Sequence, residues 1–342
     1  YKNDLAEGLY QSWIKDGGRN EVKNYKNGIL DGEYKSFSED GTVVELGYYK
    51  KGIVISKTVY LYFSNGSLNE EKNYKNNKLD GQQTAWYLNG EMEAAMHYKD
   101  GELDGSFKKW NKSGVLKAFE NYKAGKKEGI QEEFYENGTL GFEEYFKEGL
   151  RNGSQTGWFK NGQIQFIKNY KNDLAEGLYQ SWIKDGGRNE VKNYENGILD
   201  GKSTSFTDGI KYEDTYYKNG SYDYKTKYFY FNNGSLSEEK NYKNNKLHGK
   251  QTVWFINGQI KESEFYNIGS KENKWTSWYS NGNKFFEGNF RKNKIDGGVT
   301  FWNRNGKKDE ERKYRDGDLI STTIFKYGYF NDQFISKESI IN

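Results

Sequence analysis

A chain of 342 residues would ordinarily divide into two or three globular domains, yet only 34% of this one is hydrophobic, and its apolar surface comes mainly from 30 Tyr, 21 Phe and 9 Trp. That composition excludes a thick aliphatic core and suits a thin sheet, in which a tyrosine ring packs while its hydroxyl stays wet. The 52 Lys and Arg nearly balance 49 Asp and Glu, for a formal charge of +3, so no basic field points to nucleic acid or anionic lipid. Cysteine is absent, which removes disulfides and thiolate chemistry. No apolar run approaches the roughly 20 residues of a membrane helix, so no membrane insertion is expected.

Taken in order, the chain restarts about every 24 residues. An aromatic opens each unit, for example Tyr25, Tyr49, Tyr74, Tyr98, Tyr122, Phe146 and Tyr242, and a second follows twelve or thirteen residues later, as at Phe37, Tyr62, Trp86, Trp110, Phe134, Trp158 and Trp254. Two turn signals divide each unit. The first lies in the head, as in Asn27-Gly28; the second is Asn or Asp before Gly, as in Asn65-Gly66, Asn137-Gly138 and Asn161-Gly162. Both are read as type I′ hairpin turns, which need positive φ. The runs between them are rich in Tyr, Phe, Thr and Val, and 40 glycines leave no window for a helix. With no proline, every strand keeps its donors for both neighbours. The expected fold is all-β: an elongated, single-layer antiparallel β-meander solenoid of about fourteen hairpin repeats, in which no unit is stable without its neighbours.

A longer repeat overlies the short one, so that the array 1–342 is one continuous domain in which a seven-unit block, 1–169, recurs from 170 onward. Tyr1 to Tyr25 returns letter for letter as Tyr170 to Tyr194. The first unit thus matches an interior one and is expected to be a cut edge, whereas 314–342 loses the glycine rhythm and reads as an atypical C-terminal capping unit. Units three and ten depart from the pattern at equivalent places. Ser56 and Tyr224 replace the usual glycine, and the following strands, Thr58 to Phe63 and Lys227 to Phe231, are crowded with aromatic and β-branched residues. Either the sheet bulges there or its surface is altered for binding.

The aromatic rows read first as a structural ladder: Tyr25, Phe37, Tyr74, Trp86, Tyr98, Trp110, Tyr122, Phe134, Phe146, Trp158, Tyr242 and Trp254. Rings in excess of the two rows, among them Tyr10, Tyr34, Tyr48, Tyr60, Phe107, Tyr179, Tyr216 and Tyr228, are available to line an exposed groove. Tyr60, Tyr62, Tyr224, Tyr228 and Tyr230 are the candidate partner contacts. No catalytic, cofactor or metal site is expected. His97 and His248 lie at unrelated places in the repeat, and the recurrent acids Glu7, Asp31, Asp80, Asp104, Glu128, Glu176, Asp200 and Asp296 are explained as caps for local turn N–H groups.

The run Y-K-x-G-x-L-D-G followed by W-Y-x-N-G-x-L, seen with small changes in Tyr25 to Gly32, Tyr74 to Met92 and Phe146 to Ile164, resembles the bacterial variant of the MORN repeat. The resemblance covers essentially the whole chain. It implies a twisted antiparallel sheet serving as a scaffold, in a family with secreted and surface members, some antitoxin-like or linked to adhesion. The resulting expectation is a non-enzymatic scaffold, extracellular or on a bacterial cell surface, that engages a protein partner such as a host receptor. One alternative is a cytoplasmic antitoxin or immunity protein binding a cognate toxin; another is a carbohydrate-binding surface of stacked rings. The expected state is a monomer or an edge-paired dimer.

Overall fold

The computed structural model describes residues 4–327 and 333–341. The heads at Tyr1 and part of the expected capping unit 314–342 lie outside the described residues. Contacts divide the chain into two units, Tyr1–Glu176 and Gly177–Asn342, with the boundary close to the expected block seam at 169/170. Each unit is an antiparallel meander in which successive strands pair, as Gly8–Trp13 with Arg19–Lys26 in the first and Gly177–Trp182 with Arg188–Glu195 in the second. No helix occurs among the described residues.

The two turns of a repeat use different chemistry. At the heads two consecutive residues take positive φ, as at Asn27 (52°) and Gly28 (77°), which is the type I′ geometry expected. The second turn is not type I′. Only its glycine is left-handed, Gly90 at 85° for example, and Gly90 N–H donates to the Tyr87 carbonyl at 2.9 Å while Tyr87 N–H donates to the Glu91 carbonyl at 2.8 Å. The preceding Asn stays in an ordinary conformation because its side chain does the work: Asn89 Oδ1 accepts from Glu91 N–H at 3.2 Å. Asp208-Gly209 is an exception, with both φ values positive, at 51° and 77°. This tighter turn accounts for the residue missing between Tyr194 and Tyr217.

Heads also interrupt the strand ladder. Leu103 faces Tyr98 and Phe107 faces Met96, so Asp104, Gly105 and Ser106 stand against His97 alone. Side-chain amides close the opening. Gln83 Oε1 accepts from Asn73 N–H at 2.7 Å and its Nε2 donates to the Asn73 carbonyl at 2.9 Å; Gln131 and Gln251 do the same at Asn121 and Asn241. The backbone N–H left open by the bulge would otherwise go unsatisfied, whereas the carbonyl also accepts from the head, as Asn73 does from Asp80 N–H at 3.0 Å. Units three and ten differ: Tyr49 faces Val54 and Tyr48 faces Ser56, leaving Ile55 as the single surplus residue, and the strands Ile53–Tyr62 and Ser221–Tyr230 run unbroken.

Contrary to the expectation from sequence, the recurrent acids do not cap their own turns. Asp31 accepts from Lys51 N–H at 3.1 Å, Asp104 from Ala124 N–H at 3.1 Å and Glu128 from Glu148 N–H at 2.6 Å, each in the head turn of the following repeat. His248 fills the same place, its Nδ1 accepting from Ile268 N–H at 3.3 Å. These bonds tie neighbours together, as a repeat fold requires. Tyr87, Tyr135 and Tyr279 add a second tie, each hydroxyl donating to the carbonyl of the ladder residue Trp110, Trp158 or Trp302 at 2.6–3.0 Å.

The interior is thin. Among the described residues only Ala94, Ala175, Phe286 and Val299 are buried apolar side chains, and buried Gln, Thr and Ser outnumber them. Ladder rings such as Trp86, Trp110 and Trp158 are half-buried, so cohesion is shared between partial ring burial and the hydrogen-bonded lattice.

Candidate binding groove

Strand pairing places residues in rows across a sheet, and partners in a row point to one face. In the first unit Glu33, Tyr48, Ser56 and Lys75 stand opposite one another in turn across four strands, Ile29–Phe37, Val43–Lys50, Ile53–Tyr62 and Leu68–Lys75. Two residues along, Lys35, Leu46, Thr58 and Asn73 form the next row on that face. These rows, together with Tyr34, Gly47, Lys57 and Tyr74 of the alternate row and Asp80 and Gly81 of the next head, line a groove of about 750 Å³. Its only aromatic wall on this face is Tyr48. The cross-strand partner of Tyr48 on the Ile53–Tyr62 strand is a serine, with no ring to stack on it, and Tyr48 is 44% exposed.

The equivalent rows of the second unit are Lys202, Tyr216, Tyr224 and Lys243, and beside them Thr204, Asp214, Thr226 and Asn241. Here the groove is filled from within. Tyr224, in the place of Ser56, stacks on Tyr216 with ring centroids 4.3 Å apart and planes 19° from parallel. Beneath lies Asp214, in the place of Leu46 and 1% exposed. It accepts from Thr204 Oγ1 at 2.6 Å, Tyr228 OH at 2.8 Å, Lys202 Nζ at 2.9 Å and Lys211 Nζ at 3.3 Å. Burial pushes the Asp214 carboxyl up, but the hydrogen bonds from Thr204, Lys202 and Tyr228 and the charge of Lys211 outweigh it and hold the group below the usual carboxylate range. The Tyr228 hydroxyl is pushed up, by burial first and then by its bond to Asp214. Lys211 Nζ also sits 3.8 Å from the centre of the Tyr228 ring.

The candidate partner contacts fall into different environments. Tyr60 and Tyr62 line a second groove of about 470 Å³ with Asp40, Val59 and Leu61, and the Tyr62 hydroxyl donates to the Val43 carbonyl at 2.8 Å. Burial pushes both hydroxyls up. Tyr224 is the exposed member of the stack at 42%, Tyr228 is committed to Asp214, and Tyr230 is half-buried. Residue types alone missed Gly47, Leu46 and Lys75. The signal was present in the alignment of the two blocks, where Gly47 faces Thr215, Leu46 faces Asp214 and Ser56 faces Tyr224.

Among the described residues no group of three or more His, Asp or Glu side chains is placed to hold a metal ion, and no helix is long and apolar enough to cross a membrane.

The family model described as MORN repeat variant matches residues 30–51, 57–76, 79–100, 127–148, 151–172 and 226–244. Glu33, Lys35, Leu46 and Tyr48 of the groove lie within the first match and Thr58, Asn73 and Lys75 within the second, while Ser56 falls in the interval between them. No curated protein matches the chain. Among solved structures it is similar to a chain of the Photorhabdus luminescens Tc holotoxin pore, at 9% identity and a TM-score of 0.19, with 99% of this chain and 22% of that one covered. The chain thus spans about a fifth of that neighbour's length, and a TM-score so low carries no argument. With six matched repeats distributed over both units and a strand-and-turn unit that recurs throughout, the chain belongs to the MORN-repeat family in its variant form.

Proposed function

We propose that this protein is a non-enzymatic repeat scaffold that binds a protein partner on the strand face holding Tyr48, as part of a bacterial surface or secreted protein engaged in adhesion or host contact. A repeat array suits the task, since many separate faces of one lattice contribute contacts without a deep cavity. The observation that supports this reading is the open groove of about 750 Å³ in the first unit, with an exposed tyrosine ring beside lysines. Exposed aromatic rings with polar neighbours are what protein interfaces use as anchors.

The experiment is capture from host-cell and bacterial lysates by the full chain, beside a Tyr48→Lys version, followed by direct titration of the purified captured protein. Binding that the charge abolishes supports the reading. Binding indifferent to the substitution, or saturable binding to a glycan array in place of any protein, contradicts it. A captured bacterial toxin encoded beside this protein would favour the antitoxin alternative.

A further inference from the structure

The second unit supplies from its own chain two groups that the first unit lacks at the same place. One is the ring of Tyr224, stacked on Tyr216; the other is the carboxylate of Asp223, 3.8 Å from Lys243. In the first unit these positions are Ser56 and Ile55, while the receiving residues, Tyr48 and Lys75, are kept. The groove is therefore a receptor whose internal copy carries its own occupant. We propose that the groove of the first unit binds a partner segment in which an acidic residue adjoins a tyrosine, the ring stacking on Tyr48 above Ser56 and the carboxylate pairing with Lys75. This rests on the scaffold reading above and names the chemistry of the partner.

Charge and shape agree with that occupant. Lys75 lies directly across from Ser56, so a carboxylate next to a ring stacked on Tyr48 is within its reach, as Asp223 is within reach of Lys243. Leu46 gives the ring an apolar edge, where the copy has Asp214. Glu33, at the far end of the row, opposes a second acid and so sets the orientation.

The test is titration of the full chain with the peptide acetyl-Gly-Asp-Tyr-Gly-amide, followed by saturation-transfer NMR on the peptide ring protons. A saturable signal in the millimolar range is expected, lost when the peptide tyrosine is alanine and weakened at least ~5-fold when its aspartate is asparagine. Ser56→Tyr, which installs the copy's own ring, is expected to weaken binding at least ~10-fold. Lys75 is exposed, so Lys75→Glu probes the charge with the fold intact and is expected to cost ~10-fold or more even where Ser56→Tyr disturbs packing. Binding unaffected by Lys75→Glu, or no saturable binding, overturns the proposal. If the peptide fails while a captured protein still depends on Tyr48, the occupant is wrong and the scaffold reading stands; if both fail, both fall.

Discussion

Units three and ten began as the same sequence pattern and now solve one packing problem in opposite ways. In unit three the cross-strand neighbour of Tyr48 is Ser56 and the face stays open; in unit ten Tyr224 closes over Tyr216 and a buried carboxylate sits beneath. The difference teaches that the hydrogen-bonded frame of this repeat is indifferent to what stands on its faces. The same rows, the same Thr-to-Asn bond (Thr58 to Asn73 and Thr226 to Asn241, both 2.6 Å) and the same strand lengths carry either arrangement. A duplicated block can thus keep one copy as a braced element and leave the other free to bind.

The largest way to break the comparison is at Asp214. Removing the carboxylate by Asp214→Ala strands the hydroxyls of Thr204 and Tyr228 and is expected to cost about 3 kcal/mol, discounted because Lys202 and Lys211 can return to water. Leu46→Ala, at the same place in the first block, removes a half-buried side chain and is expected to cost about 1 kcal/mol. Urea denaturation of the two variants, followed by tryptophan fluorescence, measures both. The Asp214 contribution also has a pH signature. Its folded carboxyl titrates below the unfolded value, so the stabilisation is fully present above that unfolded value, near pH 4, and is lost as the pH falls through the folded one. The gap between wild type and Asp214→Ala should therefore narrow in acid; a gap that stays constant as the pH falls from neutral to below the unfolded value would contradict the assignment.

A second substitution sharpens the comparison by touching what the two blocks share. Gln83→Ala and Gln251→Ala each open the bulge at an Asn whose backbone N–H then loses its partner, while its carbonyl keeps the N–H of Asp80 or His248, and each should cost about 2 kcal/mol. Equal losses are expected because both blocks use the same amide bridge. Smaller still is the ring stack. Tyr224→Ser should cost about 1 kcal/mol and Ser56→Tyr should recover a similar amount, opposite in sign, as read by the melting temperature.

Much of this frame was legible in the residues, because the repeat makes its own punctuation visible. The heads at Tyr25, Tyr74 and Tyr98, the paired strands and the Asn27-Gly28 turn follow from the spacing and from the φ demands of Asn-Gly. The second turn was misread because Asn89 and Gly90 look like a type I′ pair, whereas the Asn89 carboxamide accepts the Glu91 N–H and leaves only the glycine left-handed. The reach of Asp31 to Lys51 was hidden for a related reason: an acid before a glycine has a local partner by default, and only the pairing of neighbouring repeats brings a better one alongside. The faces of the rows could not be assigned from sequence, since the head bulge sets Asp104, Gly105 and Ser106 against one residue and so decides which rings share a side. Tyr60, Tyr62, Tyr224, Tyr228 and Tyr230 were singled out for crowding. The open groove is walled by Tyr48, one of the surplus rings, with the small residue Ser56 across from it.

The most direct measurement exchanges the two arrangements in one molecule. A Ser56→Tyr, Tyr224→Ser double variant should carry the open face in unit ten, and mass-spectrometric footprinting with a tyrosine-selective reagent should show Tyr216 gaining reactivity and Tyr48 losing it, each by several-fold. Unchanged reactivity at both rings, in a variant with the wild-type circular dichroism spectrum, would contradict the claim that one residue in each row decides whether the face is open.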